Sequence, residues 1–301
     1  MLVLAQRAAR RHGHQLLKTT SASYSTSLTS TIKISNIPAP HAGSITVLSL
    51  NRPKSRNALS QQLVAELNDV VENLHAEGGK GPSRALILAS ESDQAFCAGA
   101  DLKERVTMSQ DEVKAFLKKL RDTFTRLSTL PIPTISAISS TAFGGGLEIA
   151  LSTNFRVLAS TATVGLPETR LAILPGAGGT YRLPALIGAN RARDLILTGR
   201  RVSGPEAYFL GICDRLVEVN EEEAQAPGVA REKVLTQAIS MARDITEGGP
   251  IALKAALQAM NTWQQGETSE NAAYDMVIST EDRMEGLRAF AEKRKPVYKG
   301  R

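Results

Sequence analysis

Cysteine, histidine and aromatic residues are scarce in this 301-residue chain, and each scarcity removes a class of chemistry. Two cysteines, Cys97 and Cys213, are too few for a disulfide framework or a cysteine-based zinc site, and both are expected to be free thiols in a reducing compartment. Four histidines, His12, His14, His41 and His75, form no cluster at metal-ligand spacing, so no metal is expected. None has a neighbourhood suited to a Ser-His-Asp or Cys-His centre. Aromatic residues make up only 4% of the chain, which argues against a surface built for stacking on bases. No apolar run approaches the length of a membrane span, so no membrane partner is expected. The glycine-rich "GAGGTYRL" (Gly176–Leu183) is not a dinucleotide fingerprint, because Tyr181 occupies the place of the third glycine. Nor is it a P-loop, since no Gly-Lys-Ser/Thr follows.

Acidic residues are missing altogether until Glu66. Residues 1–31 instead carry Arg7, Arg10, Arg11 and Lys18 among serines and threonines, the composition of an organelle transit peptide. Arg7, Arg11 and Lys18 share one face at helical spacing, and Ala5, Ala9 and Leu16 another. Without this segment the net charge falls from +6 to +2, so the chain's basicity is weak support for a nucleic-acid partner. A mitochondrial (matrix) location is expected. The C-terminal "YKGR" is not a peroxisomal address of the Ser-Lys-Leu type.

What is present alternates. "SITVLSLNRP" (Ser44–Pro53), "RALILAS" (Arg84–Ser90) and "PTISAISS" (Pro133–Ser140) are apolar runs that suit buried strands. "FRVLAS" (Phe155–Ser160) and "ATVGLPE" (Ala162–Glu168) suit two more. Leu63, Val64, Leu67, Val70, Val71 and Leu74 recur at helical spacing, and a charged helix is predicted around Asp111–Leu127. Strands alternating with helices imply an α/β core with crossover connections. After about Leu183 the pattern turns mostly helical. Glu218–Ala230 has the composition of a linker, and helices are predicted over Arg231–Thr246, Ile251–Trp263 and Ser269–Lys293.

Two glycine-bearing turns, "FCAGADLKE" (Phe96–Glu104) and "FGGGLEIA" (Phe143–Ala150), each follow a strand and lead into a helix. Such turns leave backbone N–H groups free, and two converging N–H groups would stabilise charge on a carbonyl oxygen. The plainer reading is that the glycines allow close packing of helix on strand. Glu148 sits among Leu147, Ile149, Ala150 and Leu151, where an unpaired carboxylate is costly. Glu168 follows in "VGLPETRLAILPGAGG" (Val164–Gly179), where an exposed loop glutamate is the alternative. If both carboxylates face one cavity, their repulsion keeps one protonated, as paired acid/base chemistry requires.

Together "NRPKSRNALS", "FCAGADLKE", "FGGGLEIAL" and "LPETRLAILPGAGGTYRLP" stand in the order and spacing of the enoyl-CoA hydratase/isomerase (crotonase) family, which the chain resembles from about Ile32 to its C-terminus. "FCAGADLKERVTMSQDEV" and "ETRLAILPGAGGT" resemble that family's mitochondrial methylglutaconyl-CoA hydratase group. The resemblance implies a spiral of strand–strand–helix turns over 32–225, after the transit segment 1–31, and a C-terminal helical oligomerisation region over 226–301. It implies a homotrimer or dimer of trimers. It also implies roles. The N–H groups of Ala100 and Gly145 would form an oxyanion hole, and Glu148 and Glu168 match the two catalytic glutamates. Lys54, Arg56 and Ala58, with Ala98, Asp101, Leu102 and Lys103, match segments that bind the CoA moiety, and Gly176 lines the site. Phe290 and Lys293 match residues that reach a neighbouring subunit's CoA. No cofactor is implied, coenzyme A being part of the substrate.

Substrates compatible with these motifs include short straight-chain, methylglutaconyl and methylcrotonyl thioesters. Arg170 is a candidate for greeting a distal carboxylate or else a surface arginine. Asn154 stands where the family usually carries aspartate and is expected to pair near Arg156. Isomerases of the family usually keep only the carboxylate equivalent to Glu168, so two glutamates favour hydration. RNA binding, known in a relative with a lysine-rich helix, is disfavoured because Ser60–Lys80 carries Glu66, Asp69, Glu72 and Glu77 against Lys80 alone. The more basic stretch with Lys114, Lys118, Lys119, Arg121 and Arg126 is explained as well by a solvated face.

Overall fold

The computed structural model describes residues 30–301. The expected transit segment lies outside the described residues, apart from its last two. Of those, Ser30 and Thr31 donate to Glu66 Oε2 at 2.8–3.0 Å.

The described residues open with a hairpin, β1 (Ile32–Pro38) and β2 (Ser44–Leu50), followed by helix α1 (Gln61–Glu77). The hydroxyl of Ser60 caps α1 by accepting from Leu63 N at 3.2 Å. Three turns of chain then repeat one step: a strand for a large sheet, then a short strand for a small one. These pairs are β3 (Ser83–Ser90) with β4 (Ala95–Cys97), β5 (Thr134–Ile138) with β6 (Thr141–Phe143), and β7 (Phe155–Ala159) with β8 (Thr163–Gly165). Helices α2 (Leu102–Thr107) and α3 (Gln110–Ser128) follow the first pair, and α4 (Gly145–Ala150) follows the second. Helices α5 (Gly179–Ile187) and α6 (Ala189–Thr198) follow the third, before strand β9 (Val202–Ser203), helix α7 (Gly204–Leu210), strand β10 (Arg215–Val217) and helix α8 (Glu221–Gln225). Four helices finish the chain: α9 (Val229–Thr246), α10 (Pro250–Asn261), α11 (Glu267–Ile278) and α12 (Glu281–Ala291).

The large sheet has the order β1-β2-β3-β5-β7-β10, parallel except for the β1–β2 hairpin; the small one has the order β4-β6-β8-β9. This is the α/β spiral of strand–strand–helix turns that the motifs imply. The central strands β3, β5 and β7 are buried almost throughout, as continuous apolar runs covered on both faces should be. Helix α9 lies across β3, β5 and β7 and adds Val234, Ala238 and Ala242 to the same core. No described helix is long and apolar enough to cross a membrane.

Two expectations are corrected. Ser269–Lys293 is not one helix: it divides at Ser279–Thr280, where the Thr280 hydroxyl accepts from Arg283 N at 3.1 Å and starts α12 afresh. The supposed linker Glu218–Ala230 contains α8, whose start is a capping box between Asn220 and Glu223.

Candidate active site

A cavity of about 490 Å³ opens where the two glycine turns meet. Its walls include Ala98, Ala100, Leu102, Gly145, Glu148, Glu168 and Gly176, so it brings together seven of the residues singled out above. Lys54, Arg56, Ala58, Asp101 and Lys103 do not line it; nor do Phe290, 87% exposed, and Lys293, both in the C-terminal region.

The first turn is braced from the segment before it. Ala98 N donates to Arg56 O at 3.0 Å, and Leu59 N to Gly99 O at 2.8 Å. Asp101 N returns a bond to Leu59 O at 3.2 Å. Leu59 and Ala100 thus form a parallel bridge that uses the polar groups of Gly99 and Asp101 and not those of Ala100. The Asp101 carboxylate is committed twice: it accepts from both terminal nitrogens of Arg52 at 3.1 Å and from Lys103 N at 3.2 Å, capping α2. Arg52 also donates to Ala58 O.

The second turn requires its glycines. Gly144 has φ +53 with ψ −125, a conformation L side chains avoid. A Cβ on Gly146 would stand 2.1 Å from Cys97 O, so α4 can lie against β4 only without one. Gly145, between them, is the first residue of α4, where no preceding turn exists to accept its N–H. Among the described residues, neither Ala100 N–H nor Gly145 N–H has a hydrogen-bond acceptor. The two are close: an ideal Cβ on Gly145 would lie 3.8 Å from Ala100 N.

Glu148, one turn along α4, is only 2% exposed. Its Oε1 accepts from Ala177 N at 2.7 Å and Gly179 N at 2.8 Å. Burial raises its pKa, opposed by those two N–H groups and by the Arg182 guanidinium. Arg182 is itself held by a 2.9 Å bond to Ala177 O. Glu168, 8% exposed, begins the turn after β8. Its Oε2 is buried without a hydrogen-bond partner among the described residues. Burial pushes Glu168 up to about 7, its own N–H pulls it down, and the charge of Glu148 pushes it further up. One carboxylate is therefore solvated by peptide groups, and the other is left to carry a proton near neutrality.

The role of "GAGG" in orienting Glu148 was not foreseen, because its donors are peptide N–H groups that every residue except proline carries. Arg105 and Arg121 on the cavity wall were also missed. Of the two alternatives for Arg170, the surface arginine holds: it does not line the cavity, it is exposed, and its Nε donates to Thr198 O at 2.8 Å. One side chain differs from expectation. Asn154 does not pair with Arg156. Its Oδ1 accepts from Thr134 N and Oγ1 at 2.8 and 2.9 Å, while Arg156 bonds Asp214 at 2.9 Å. In the basic helix α3, Lys114 and Lys118 pair with Asp111 and Asp122, and Arg126 with Glu72, the pattern of a solvated face. Among the described residues no group of three or more His, Cys, Asp or Glu could hold a metal ion. Both cysteines are buried, and burial pushes their thiols up to about 12 for Cys97 and about 11 for Cys213.

A family model described as enoyl-CoA hydratase/isomerase matches residues 41–301. An enoyl-CoA isomerase/hydratase of Zymoseptoria tritici is 66% identical over 100% of both chains. The mitochondrial methylglutaconyl-CoA hydratase 1 of Pyricularia oryzae is 53% identical over 90% of this chain and 87% of its own. A crystal structure of an enoyl-CoA hydratase from Bacillus anthracis superposes with a TM-score of 0.81 at 40% identity, covering 90% of this chain and 100% of that one.

Proposed function

Because the chain belongs to the enoyl-CoA hydratase/isomerase family, we propose that it adds water across the 2,3 double bond of a short-chain enoyl-CoA, methylglutaconyl-CoA being the favoured substrate. The observation that carries this reading is the asymmetric pair of buried carboxylates on one cavity wall, beside two unpaired peptide N–H groups.

In the proposed cycle the thioester oxygen accepts from Ala100 N–H and Gly145 N–H, which makes Cβ electrophilic. Glu148, held as the carboxylate by Ala177 and Gly179, takes a proton from a water as the water oxygen bonds to Cβ. The electron pair of the double bond moves to the thioester oxygen as an enolate. Glu168, protonated, gives its proton to Cα, and the enolate returns to a carbonyl. Proton exchange through solvent restores the pair. No cofactor takes part; coenzyme A enters with the substrate. Lys54, Arg56 and Lys103 are exposed cations suited to its phosphates, and Ala58, Ala98, Asp101 and Leu102 shape the path beside them. Gly176 keeps the opposite wall open. Phe290 and Lys293 reach a neighbouring subunit's CoA in a homotrimer or dimer of trimers, and the enzyme works in the mitochondrial matrix.

The test is loss of the conjugated enoyl-thioester absorbance with crotonyl-CoA and 3-methylglutaconyl-CoA, with Glu148→Gln and Glu168→Gln as controls. Turnover lost in both variants supports the two-carboxylate mechanism. Folded wild-type protein that turns over neither substrate would sink it and bring double-bond isomerisation forward.

A further inference from the structure

The cavity wall carries two chemistries. Glu148 and Glu168 supply its carboxylates, and Leu102, Val113, Leu117 and Leu120 supply apolar wall from α2 and α3. In that wall stands Arg105. Its guanidinium carbon lies over the Phe116 ring, 5.3 Å from the ring centre. Its Nη1 is buried and has no hydrogen-bond partner among the described residues.

No acid on α2, on α3 or in the turn before α2 is free to neutralise it. Around α2, Asp101 is bonded to Arg52, and Glu104 accepts from Gln61 N at 2.9 Å. On α3, Glu112 accepts from Ser109 N, while Asp111 and Asp122 face Lys114 and Lys118. A guanidinium stays charged at any working pH, and burial without a counter-ion is costly. An uncharged acyl chain filling the cavity would strip water from Arg105 and offer nothing in return. A carboxylate would offer two acceptor oxygens in the geometry the guanidinium fork fits.

Resting on the hydratase reading above, we propose that Arg105 selects acyl chains ending in a carboxylate: it binds the far carboxylate of an enoyl-CoA whose thioester sits at Ala100 and Gly145. Arg121, the other arginine of the cavity wall, adds positive potential and makes no direct bond in this proposal.

The test uses the full chain with Arg105→Met and Arg105→Lys. Two thioesters differ only in that one carries a carboxylate on C4 where the other has hydrogen: 3-methylglutaconyl-CoA and 3-methylcrotonyl-CoA. Arg105→Met should lower kcat/KM for the first by roughly 10- to 100-fold, the range of a charged hydrogen bond, and leave the second within about threefold. Arg105→Lys should recover part of the loss. Equal losses on both substrates would overturn the proposal, because Arg105 would then hold the CoA portion or the fold; so would no loss on either. Calorimetric binding of the saturated 3-methylglutaryl-CoA and isovaleryl-CoA makes the same comparison without turnover. A selective loss of 3-methylglutaryl-CoA binding would support Arg105 even if hydration itself failed, and an unselective result there would overturn it.

Discussion

Replacing Glu168 by glutamine should disable the enzyme and stabilise the protein, and the stabilisation should depend on pH. Glu168 is buried, its Oε2 has no partner, and its pKa stands at about 7 against an ordinary 4.5. Its folded-state value lies above its unfolded value, so any stability it contributes is fully present below about pH 4.5 and is lost as pH rises through about 7. The gap between those two values corresponds to about 3 kcal/mol held against the folded state at mildly alkaline pH. Glutamine has the same shape and never ionises. It should therefore match the wild type near pH 4.5 and exceed it at about pH 8, by up to about 3 kcal/mol. The gain is an upper bound, because an amide NH₂ placed where Oε2 now sits would itself lack a partner. Thermal unfolding at matched protein concentration should show a gain of several degrees at the higher pH. Hydration of crotonyl-CoA should fall roughly 100-fold or more in the same variant. The wild type should lose hydration kcat/KM as pH rises past about 7, with Glu168 no longer protonated. A stability difference between variant and wild type that stays the same from about pH 4.5 to about pH 8 would refute the claim that this carboxyl resists ionisation in the fold, because the cost of the amide does not change with pH.

Three further outcomes are expected. Glu148→Gln should cut hydration roughly 100- to 10,000-fold, measured by enoyl-thioester absorbance, while substrate-analogue binding by calorimetry stays near wild type. Gly146→Ala should destabilise the protein by several kcal/mol in urea unfolding, since its Cβ would stand 2.1 Å from Cys97 O and both segments are backbone. Residues 1–31 fused to a fluorescent reporter should carry it into mitochondria, and mutating Arg7, Arg10, Arg11 and Lys18 to glutamine should leave it in the cytosol.

Long elements were legible in the sequence because their apolar periods run for several turns or strand pairs. Leu63, Leu67, Val71 and Leu74 of α1 and the apolar run of β3 are cases. The short strands β4, β6, β9 and β10 were not, since two or three residues carry no period. The break before α12 was hidden from the periodicity because a threonine inside a helical pattern gives no stop signal until its hydroxyl is seen capping Arg283 N. Glu148 was legible as a carboxylate among apolar neighbours, and Glu168 through its place beside the glycine-rich run. That one of a facing pair holds a proton was expected; which one was not, because it depends on which peptide groups approach from a turn about thirty residues away. Arg170 and Arg105 show the same limit for side chains: both are arginines in recognised motifs, and only the path of the backbone decides which one meets the cavity.

The anchoring of Glu148 has a consequence for how this site can change. Its two donors are the N–H groups of Ala177 and Gly179, and the two unpaired donors at the turns, Ala100 and Gly145, are peptide groups too. The main chain therefore furnishes most of the polar machinery, and a substitution moves it only by bending that chain or introducing proline. The acyl wall is made of side chains, which can be exchanged one at a time. New substrates are thus accessible by mutation on α2 and α3 while the peptide donors stay in place, so specificity can be redirected without rebuilding the groups that hold Glu148 and face the thioester oxygen.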